Sequence, residues 1–401
     1  MAVIRPFRAL RPARDSAAAV SSVPYDVVST EEARQLASAN PLSFLHVTRS
    51  EIDLPPGTDP YSAEVYAKAK ENLAALRATA PLVAEDEPSL YFYRLRMGGH
   101  EQTGIAACFS VDEYEQDVIK KHERTRRDKE DDRTRHIVEL GAQTGVVFLT
   151  YRASNAIDQL TRAVTADAPL YDFRADDGVH HTIWRVAGED AAALVDAFGR
   201  VPALYIADGH HRAASAARAR AEKKTPESGS FVAVAFPSNQ MHILPYNRTV
   251  KDLAGQTPDQ FVTALRARVP VQEGRATPRG KGEVSMYLDG KWYALDLSKA
   301  APADASRASG LDVALLQTHV MEPLLKIGDV RTDKRIDFVG GARGTAALES
   351  AVNSGKAAVA FSMHPVTIDD LMAISDEGGI MPPKSTWFEP KLRDGLLIHE
   401  I

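Results

Sequence analysis

One cysteine, Cys108, stands among 401 residues. No intrachain disulfide and no cysteine-held metal cluster can form. The flanking Ala-Ala-Cys-Phe-Ser-Val reads as a buried strand carrying an inert thiol. Long apolar runs are missing too. No stretch approaches the roughly 18 residues of a membrane span, and Met1-Ala-Val-Ile-Arg-Pro-Phe-Arg8 has no apolar leader core. Positive charge is not in excess: 48 Lys and Arg stand against 54 Asp and Glu, for a net charge of −6. A general nucleic-acid surface is therefore not expected. Several catalytic signatures are absent from the sequence. Gly340-Gly-Ala-Arg-Gly344 lacks the lysine and hydroxyl of a phosphate-cradling loop, and there is no His-Arg-Asp kinase loop, no Gly-x-Ser-x-Gly elbow and no His-Glu-x-x-His zinc helix. A cytoplasmic enzyme or binding protein of small-molecule type fits these exclusions, with no membrane partner and with homo-oligomerisation left open.

The composition is that of an ordinary globular protein, 44% hydrophobic and 25% charged, and the length allows two or three domains. Ser29-Thr-Glu-Glu32 predicts a capped helix start, and a second helix is expected from Ser62 to about Ala78. Ser89–Met97 and Gly104–Val111 read as strands paired across Gly98-Gly99-His100. Gly145–Tyr151 and Ser230–Phe236 read as further strands, and Val284–Leu288 and Trp292–Leu297 flank an Asp-Gly turn. The expected fold is α/β (α+β) with a mixed sheet. Weak loop signals divide it into an N-terminal region 1–153, a core 154–255 and a C-terminal region 256–401.

The densest chemistry lies in Ala203-Leu-Tyr-Ile-Ala-Asp-Gly-His-His-Arg212. A short apolar run suits a buried strand, and the Ala/Arg-rich stretch after it suits a helix. Asp208, Gly209, His210, His211 and Arg212 then occupy a strand-to-helix turn, where free N–H groups and the helix dipole favour an anion. An N-cap aspartate with surface histidines would account for the same letters. Arg212 falls in the first helical turn, where the dipole disfavours a cation, so a ligand phosphate or a carboxylate from elsewhere in the fold must offset it.

Lys120–His136 is built almost wholly of charged residues and histidine, with eight Lys or Arg against five Asp or Glu. A solvated helix face explains most of it, with Thr125 and Asp128 as a cap-like pair, Asp131–Arg135 as an i,i+4 ion pair and Gly141 as the stop. Lys121-His122-Glu123 precedes that helix, and Glu123 there suits a general base or a metal ligand. In His242-Ile-Leu-Pro-Tyr-Asn-Arg248 the guanidinium of Arg248, beside Asn247, can grip a carboxylate or phosphate, or form a structural Arg–Asp pair. In Met381-Pro-Pro-Lys-Ser-Thr386 two prolines are expected to keep the chain extended before Lys384, Ser385 and Thr386, a set that suits an anionic ligand.

Ile4-Arg-Pro-Phe-Arg-Ala-Leu-Arg-Pro12, Pro24-Tyr-Asp26, Lys121-His-Glu123, Ala207-Asp-Gly-His-His-Arg212, Leu244-Pro-Tyr-Asn-Arg248 and Met381-Pro-Pro-Lys-Ser-Thr386 together resemble the DUF1015 family across nearly the whole chain. The Asp-Gly-His-His-Arg block also resembles the nucleotide-binding motif of the ParB/sulfiredoxin superfamily, which includes free L-serine kinases. The resemblance implies a ParB/sulfiredoxin-like core with large added N- and C-terminal segments. It implies phosphoryl transfer from ATP or ADP, with Mg²⁺, to the hydroxyl of free L-serine or a related hydroxy amino acid. Carried over, Glu123 matches the catalytic glutamate, with Asp208 and His211 also catalytic and Asp208 a Mg²⁺ ligand. Lys121, Gly209, His210, His211 and Arg212 would contact the nucleotide. Arg248, Asn247, Lys384, Ser385 and Thr386 would contact the acceptor. The long separation of the two blocks departs from the kinases. The competing reading is a ParB-like nucleotide-binding regulator without metabolite kinase activity.

Overall fold

The computed structural model describes residues 2–79, 82–302 and 304–401. The chain divides into two compact units, residues 1–241 with 390–401, and residues 242–389. The second unit is thus an insertion in the first. The expected boundary at 153/154 falls inside the first unit, because the strand ending at Tyr151 is hydrogen-bonded to strands that come later in the sequence.

The first unit is built on a mixed nine-stranded sheet. Its strands are β1 (Ile4–Arg5), β2 (Leu90–Met97), β3 (His100–Ser110), β4 (Ile119–Lys120), β5 (Val147–Tyr151), β6 (Tyr171–Arg174), β7 (His180–Val186), β8 (Leu204–Asp208) and β9 (Ser230–Pro237). The order is β4-β8-β5-β9-β3-β2-β7-β6, with β1 also paired to β3. The β2–β3 hairpin closes at Gly98-Gly99, as its glycines predict. Two pairings are parallel, β8 with β4 and β9 with β5. Every residue of β5 and β9 is buried, the mark of strands covered on both faces. Phe92, Ile105, Phe109, Leu149, Ile206 and Phe231 form the centre of the core.

The first unit's longer helices are α1 (Thr30–Ala37), α2 (Ala63–Thr79), α3 (Arg127–Leu140), α4 (Asn155–Val164), α5 (Gly188–Phe198) and α6 (His210–Lys223). α1 opens with a complete capping box between Ser29 and Glu32. α3 differs from a solvated charged helix. Asp132, Thr134 and His136 are buried in it. Asp132 accepts the Tyr66 hydroxyl at 2.8 Å and Arg133 Nε at 2.8 Å, and His136 Nε2 donates to Val47 O at 3.0 Å. The expected Thr125–Asp128 cap does not form, because Asp128 takes Arg126 at 2.7 Å. Asp131 pairs with Arg218 of α6 at 2.6 Å in place of Arg135, a contact its sequence neighbours cannot reveal. Gly141 does end the helix, at φ 64°.

The second unit holds a six-stranded antiparallel sheet of β10 (Tyr246–Val250), β11 (Val271–Glu273), β12 (Glu283–Leu288), β13 (Lys291–Asp296), β14 (Ile336–Gly340) and β15 (Val359–Ser362), in the order β11-β13-β12-β15-β10-β14. Asp289 and Gly290, both at positive φ, turn β12 into β13. Helices α7 (Pro258–Arg266) and α8 (Ile368–Asp376) belong to this unit. Among the described residues no helix is long and apolar enough to cross a membrane.

Candidate active site

Two blocks 88 residues apart meet because β4 and β8 are neighbours and run parallel, with Tyr205 opposite Lys120. The chain therefore leaves both strands at the same end of the sheet. β4 runs into Lys121-His122-Glu123, and β8 into Gly209 and the start of α6. Carboxyl ends of adjacent parallel strands are where open α/β sheets bind ligands.

Gly209 is the N-cap of α6 at φ 97°, and no side chain caps the helix. A β-carbon there would lie 3.3 Å from Arg212 Cζ, so glycine serves both the turn and the packing. The buried His122 donates its backbone N–H to His210 Nε2 at 3.4 Å, and the two rings meet edge to face at 4.4 Å. Nε2 of neutral His210 is therefore the acceptor, which assigns the ring proton to Nδ1, the atom 4.0 Å from Glu123 Oε2. Burial, reinforced by the neighbouring His122, holds the His210 imidazole well below its ordinary pKa, and burial alone takes His122 down to about 4. Both rings are neutral at pH 7. Glu123 is about one-third exposed, so its carboxylate stands at the surface with a neutral imidazole behind it.

Other expected site residues are engaged within the protein. Arg212 is buried. Its guanidinium binds the Val146 carbonyl, Asp26 at 3.3 Å and Asp208 at 3.8 Å. The offsetting charge at the helix start is thus a carboxylate of the fold, Asp26, from the Pro24-Tyr-Asp26 block. Burial raises the Asp208 pKa, but Lys391 at 3.0 Å and Arg212 outweigh it and hold the carboxylate well below its usual range. Lys121 is anchored on Asp117 at 2.6 Å and the Tyr114 carbonyl at 2.7 Å, over the Tyr114 ring. His211 Nε2 accepts the Arg126 N–H at 3.0 Å and so ties α6 to the start of α3.

A metal at Asp208 does not fit this arrangement, since two cations already balance that carboxylate. His122, Glu123 and His210 do offer one ligand atom each within 4.8 Å of one another. His122 Nδ1 is buried without a hydrogen-bond partner, while burial of the ring is offset by a bond to the Ile206 backbone. That back-side bond is what orients a ligating histidine. Two imidazoles and one carboxylate suit a borderline transition ion better than Mg²⁺. Ligation by His210 would displace its contact to Glu123 or to the His122 N–H.

The remaining expected residues lie in the second unit. Asn247 is buried, with its side-chain Oδ1 accepting the Met363 N–H at 3.0 Å, which links β10 to the end of β15. Arg248 is buried and bonds to the Tyr246 and Lys384 carbonyls, and among the described residues it forms no Arg–Asp pair. Pro383 and Lys384 make a turn, with Lys384 at φ 58° and its ammonium 5.4 Å from the centre of the Tyr246 ring, in place of an extended run. Ser385 donates to Pro382 O at 2.6 Å, and Thr386 leads into the short strand Trp387–Phe388. His122, Asp26 and Lys391 are the residues that sequence reasoning passed over. His122 and Asp26 stood in plain view, in Lys121-His122-Glu123 and Pro24-Tyr-Asp26, but neither the spacing nor the chemistry of those blocks assigned them a partner, and the same is true of Lys391.

The family described as "Protein of unknown function (DUF1015)" matches residues 4–314. The chain belongs to the DUF1015 family. Among solved structures, this DUF1015 chain is similar to SbnI with a C-terminal truncation from Staphylococcus aureus, at 13% identity over 72% of this chain and 85% of that one, with a TM-score of 0.40. It is similar to a free serine kinase mutant in complex with AMP at 14% identity, over 73% and 92% of the two chains, with a TM-score of 0.38. A conserved hypothetical protein from Pyrococcus furiosus is similar at 13% identity, over 73% and 94%, with a TM-score of 0.35. No curated protein matches the chain.

Proposed function

We propose that this DUF1015 protein transfers a phosphoryl group from ATP or ADP to the hydroxyl of free L-serine or a related hydroxy amino acid. The observation that carries the reading is the meeting of a partly exposed carboxylate, Glu123, with an uncapped helix start at the ends of two parallel strands. The N–H groups at the start of α6 receive the nucleotide phosphates, and the helix dipole favours their charge. Glu123 accepts the hydroxyl proton as the oxygen attacks phosphorus; the new O–P bond forms while the bond to the nucleotide breaks. Neutral His210 orients Glu123 without competing for that proton. This division of labour is positioning plus electrostatics. The serine assignment comes from the resemblance of the Lys-His-Glu and Asp-Gly-His-His-Arg blocks to those of free serine kinases.

Phosphorus NMR of the purified protein, with each donor and a panel of amino acids, tests the reading. An O-phosphoserine resonance is expected, and Glu123→Gln should lower turnover by about 10²–10⁴-fold with nucleotide affinity held or improved. Parental turnover in that variant would remove Glu123 from the chemistry. The second reading, a nucleotide-binding regulatory protein, is favoured by the internal pairing of Arg212 and Asp208, which leaves few unpaired charges for catalysis. Nucleotide binding with no phosphorylated product from any donor would establish it.

A further inference from the structure

Two cations share one carboxylate oxygen at the start of α6. Lys391 Nζ donates to Asp208 Oδ2 at 3.0 Å, and Arg212 Nη2 stands 3.8 Å from the same oxygen. Asp208 directly precedes Gly209, the N-cap of α6, so its Cα lies about 3.8 Å from that of the N-cap. The two cations are held differently. Arg212 is fixed by the Val146 carbonyl and by Asp26 at 3.3 Å, and its side chain is 6% exposed. The Lys391 side chain is 14% exposed and ends in a point charge on a flexible four-carbon stem. The backbone beside it is anchored. Asp394 exchanges both backbone hydrogen bonds with Ser22, at 2.9 and 3.1 Å, and Arg393 Nε donates to His181 Nε2 at 3.3 Å. A firm base thus carries a tip that can turn.

A second observation at the same place calls for an anion. Arg212 Nε is buried and has no hydrogen-bond partner among the described residues, and a β-carbon on Gly209 would lie 3.4 Å from it. A buried N–H without an acceptor is unfavourable, and a phosphate oxygen would satisfy it. Yet a phosphate arriving at the uncapped N–H groups of α6 meets Asp208, whose carboxylate repels it. A cation able to pass from carboxylate to phosphate removes that conflict, because Asp208 keeps Arg212 when Lys391 leaves.

Resting on the nucleotide reading above, we propose that Lys391 is a phosphate-binding cation of the site. Its ammonium is held on Asp208 before a nucleotide binds, and it passes to the phosphates of a nucleoside di- or triphosphate at the start of α6. Arg212 stays fixed by Asp26 and the Val146 carbonyl and balances Asp208 after the exchange. This role differs from that of a structural counter-ion, which would only neutralise Asp208.

Titration calorimetry of the full chain with ADP and ATP tests it, using the nucleotide that binds the parent more tightly. Lys391→Met should weaken binding about ten- to a hundredfold, the effect of losing one charge-assisted contact. A double variant separates the two roles. Asp208→Asn combined with Lys391→Met leaves no carboxylate to neutralise at that position, so a mere counter-ion would give the affinity of Asp208→Asn alone. The phosphate contact predicts binding about tenfold or more weaker than in Asp208→Asn. Thermal melts confirm that the variants fold, and where Lys391→Met alone does not, the double variant against Asp208→Asn still gives the comparison. Equal affinity in that pair would overturn the assignment and leave the nucleotide reading in place. A parent chain that binds neither nucleotide would overturn both.

Discussion

Truncating Arg212 should affect stability before it affects ligand binding. Its guanidinium serves Asp26, Asp208 and the Val146 carbonyl from a buried position. Breaking a buried ion pair costs about 3–5 kcal/mol, and because Asp26 and Asp208 retain some solvent contact the low end applies, about 3 kcal/mol for Arg212→Ala. Urea denaturation measures it; a loss under about 1 kcal/mol would show that the network holds without the guanidinium. The residue type was legible as important in the sequence, since a cation in a first helical turn requires compensation. Its partner was not legible. Asp26 lies 186 residues away in a loop, and no periodicity or spacing connects the two.

At the scale of elements, the helix start of α6 depends on one backbone conformation. Gly209→Ala would force an L residue to φ 97° and place its methyl 3.3 Å from the Arg212 guanidinium carbon. A loss of about 1–2 kcal/mol is expected, together with weaker nucleotide binding, because the N–H groups would lose their common direction. Thermal melts and calorimetry would show both, and an unchanged melt would mean that the turn relaxes freely. Local signals made most elements readable here. The Ser29 capping box, the Gly98-Gly99 hairpin, the Asp289-Gly290 turn and the strand-to-helix step at Asp208 each carry their physics within a few residues. α3 was half readable: its extent and its glycine stop could be read from the sequence, but its buried face could not. Asp132 and His136 are hidden by Tyr66 and Val47, and contacts of that range leave no trace in charge patterning.

For the whole molecule, five buried histidines set the response to acid. Burial drives the pKa of His122 and of His136 down to about 4, it drives His181 and His210 well below the ordinary value of 6.5, and it lowers that of His399. The unfolded chain binds more protons than the folded one between about pH 6.5 and 4, so stability is full above that window and falls through it. Asp394 acts in the opposite sense. Burial raises its pKa to about 7, so its contribution is lost as pH rises from about 4 towards 7. The five histidines, two of them taken down to about 4, outweigh Asp394, and the urea midpoint should be lower at pH 5 than at pH 7.5. Asp394→Asn should stabilise the protein at pH 8, on the order of 2 kcal/mol, and far less at pH 4. Equal midpoints at pH 5 and 7.5 would contradict the neutral, buried state of the histidines. The insertion of the second unit has a temporal consequence as well. Asp208 leaves the ribosome 183 residues before Lys391, the cation that balances it. At about 5–20 residues per second, that is roughly ten to forty seconds during which the growing chain holds a nascent site with Arg212 as its one cation of the two. The second unit is synthesised wholly within that interval, so the first can close only behind it.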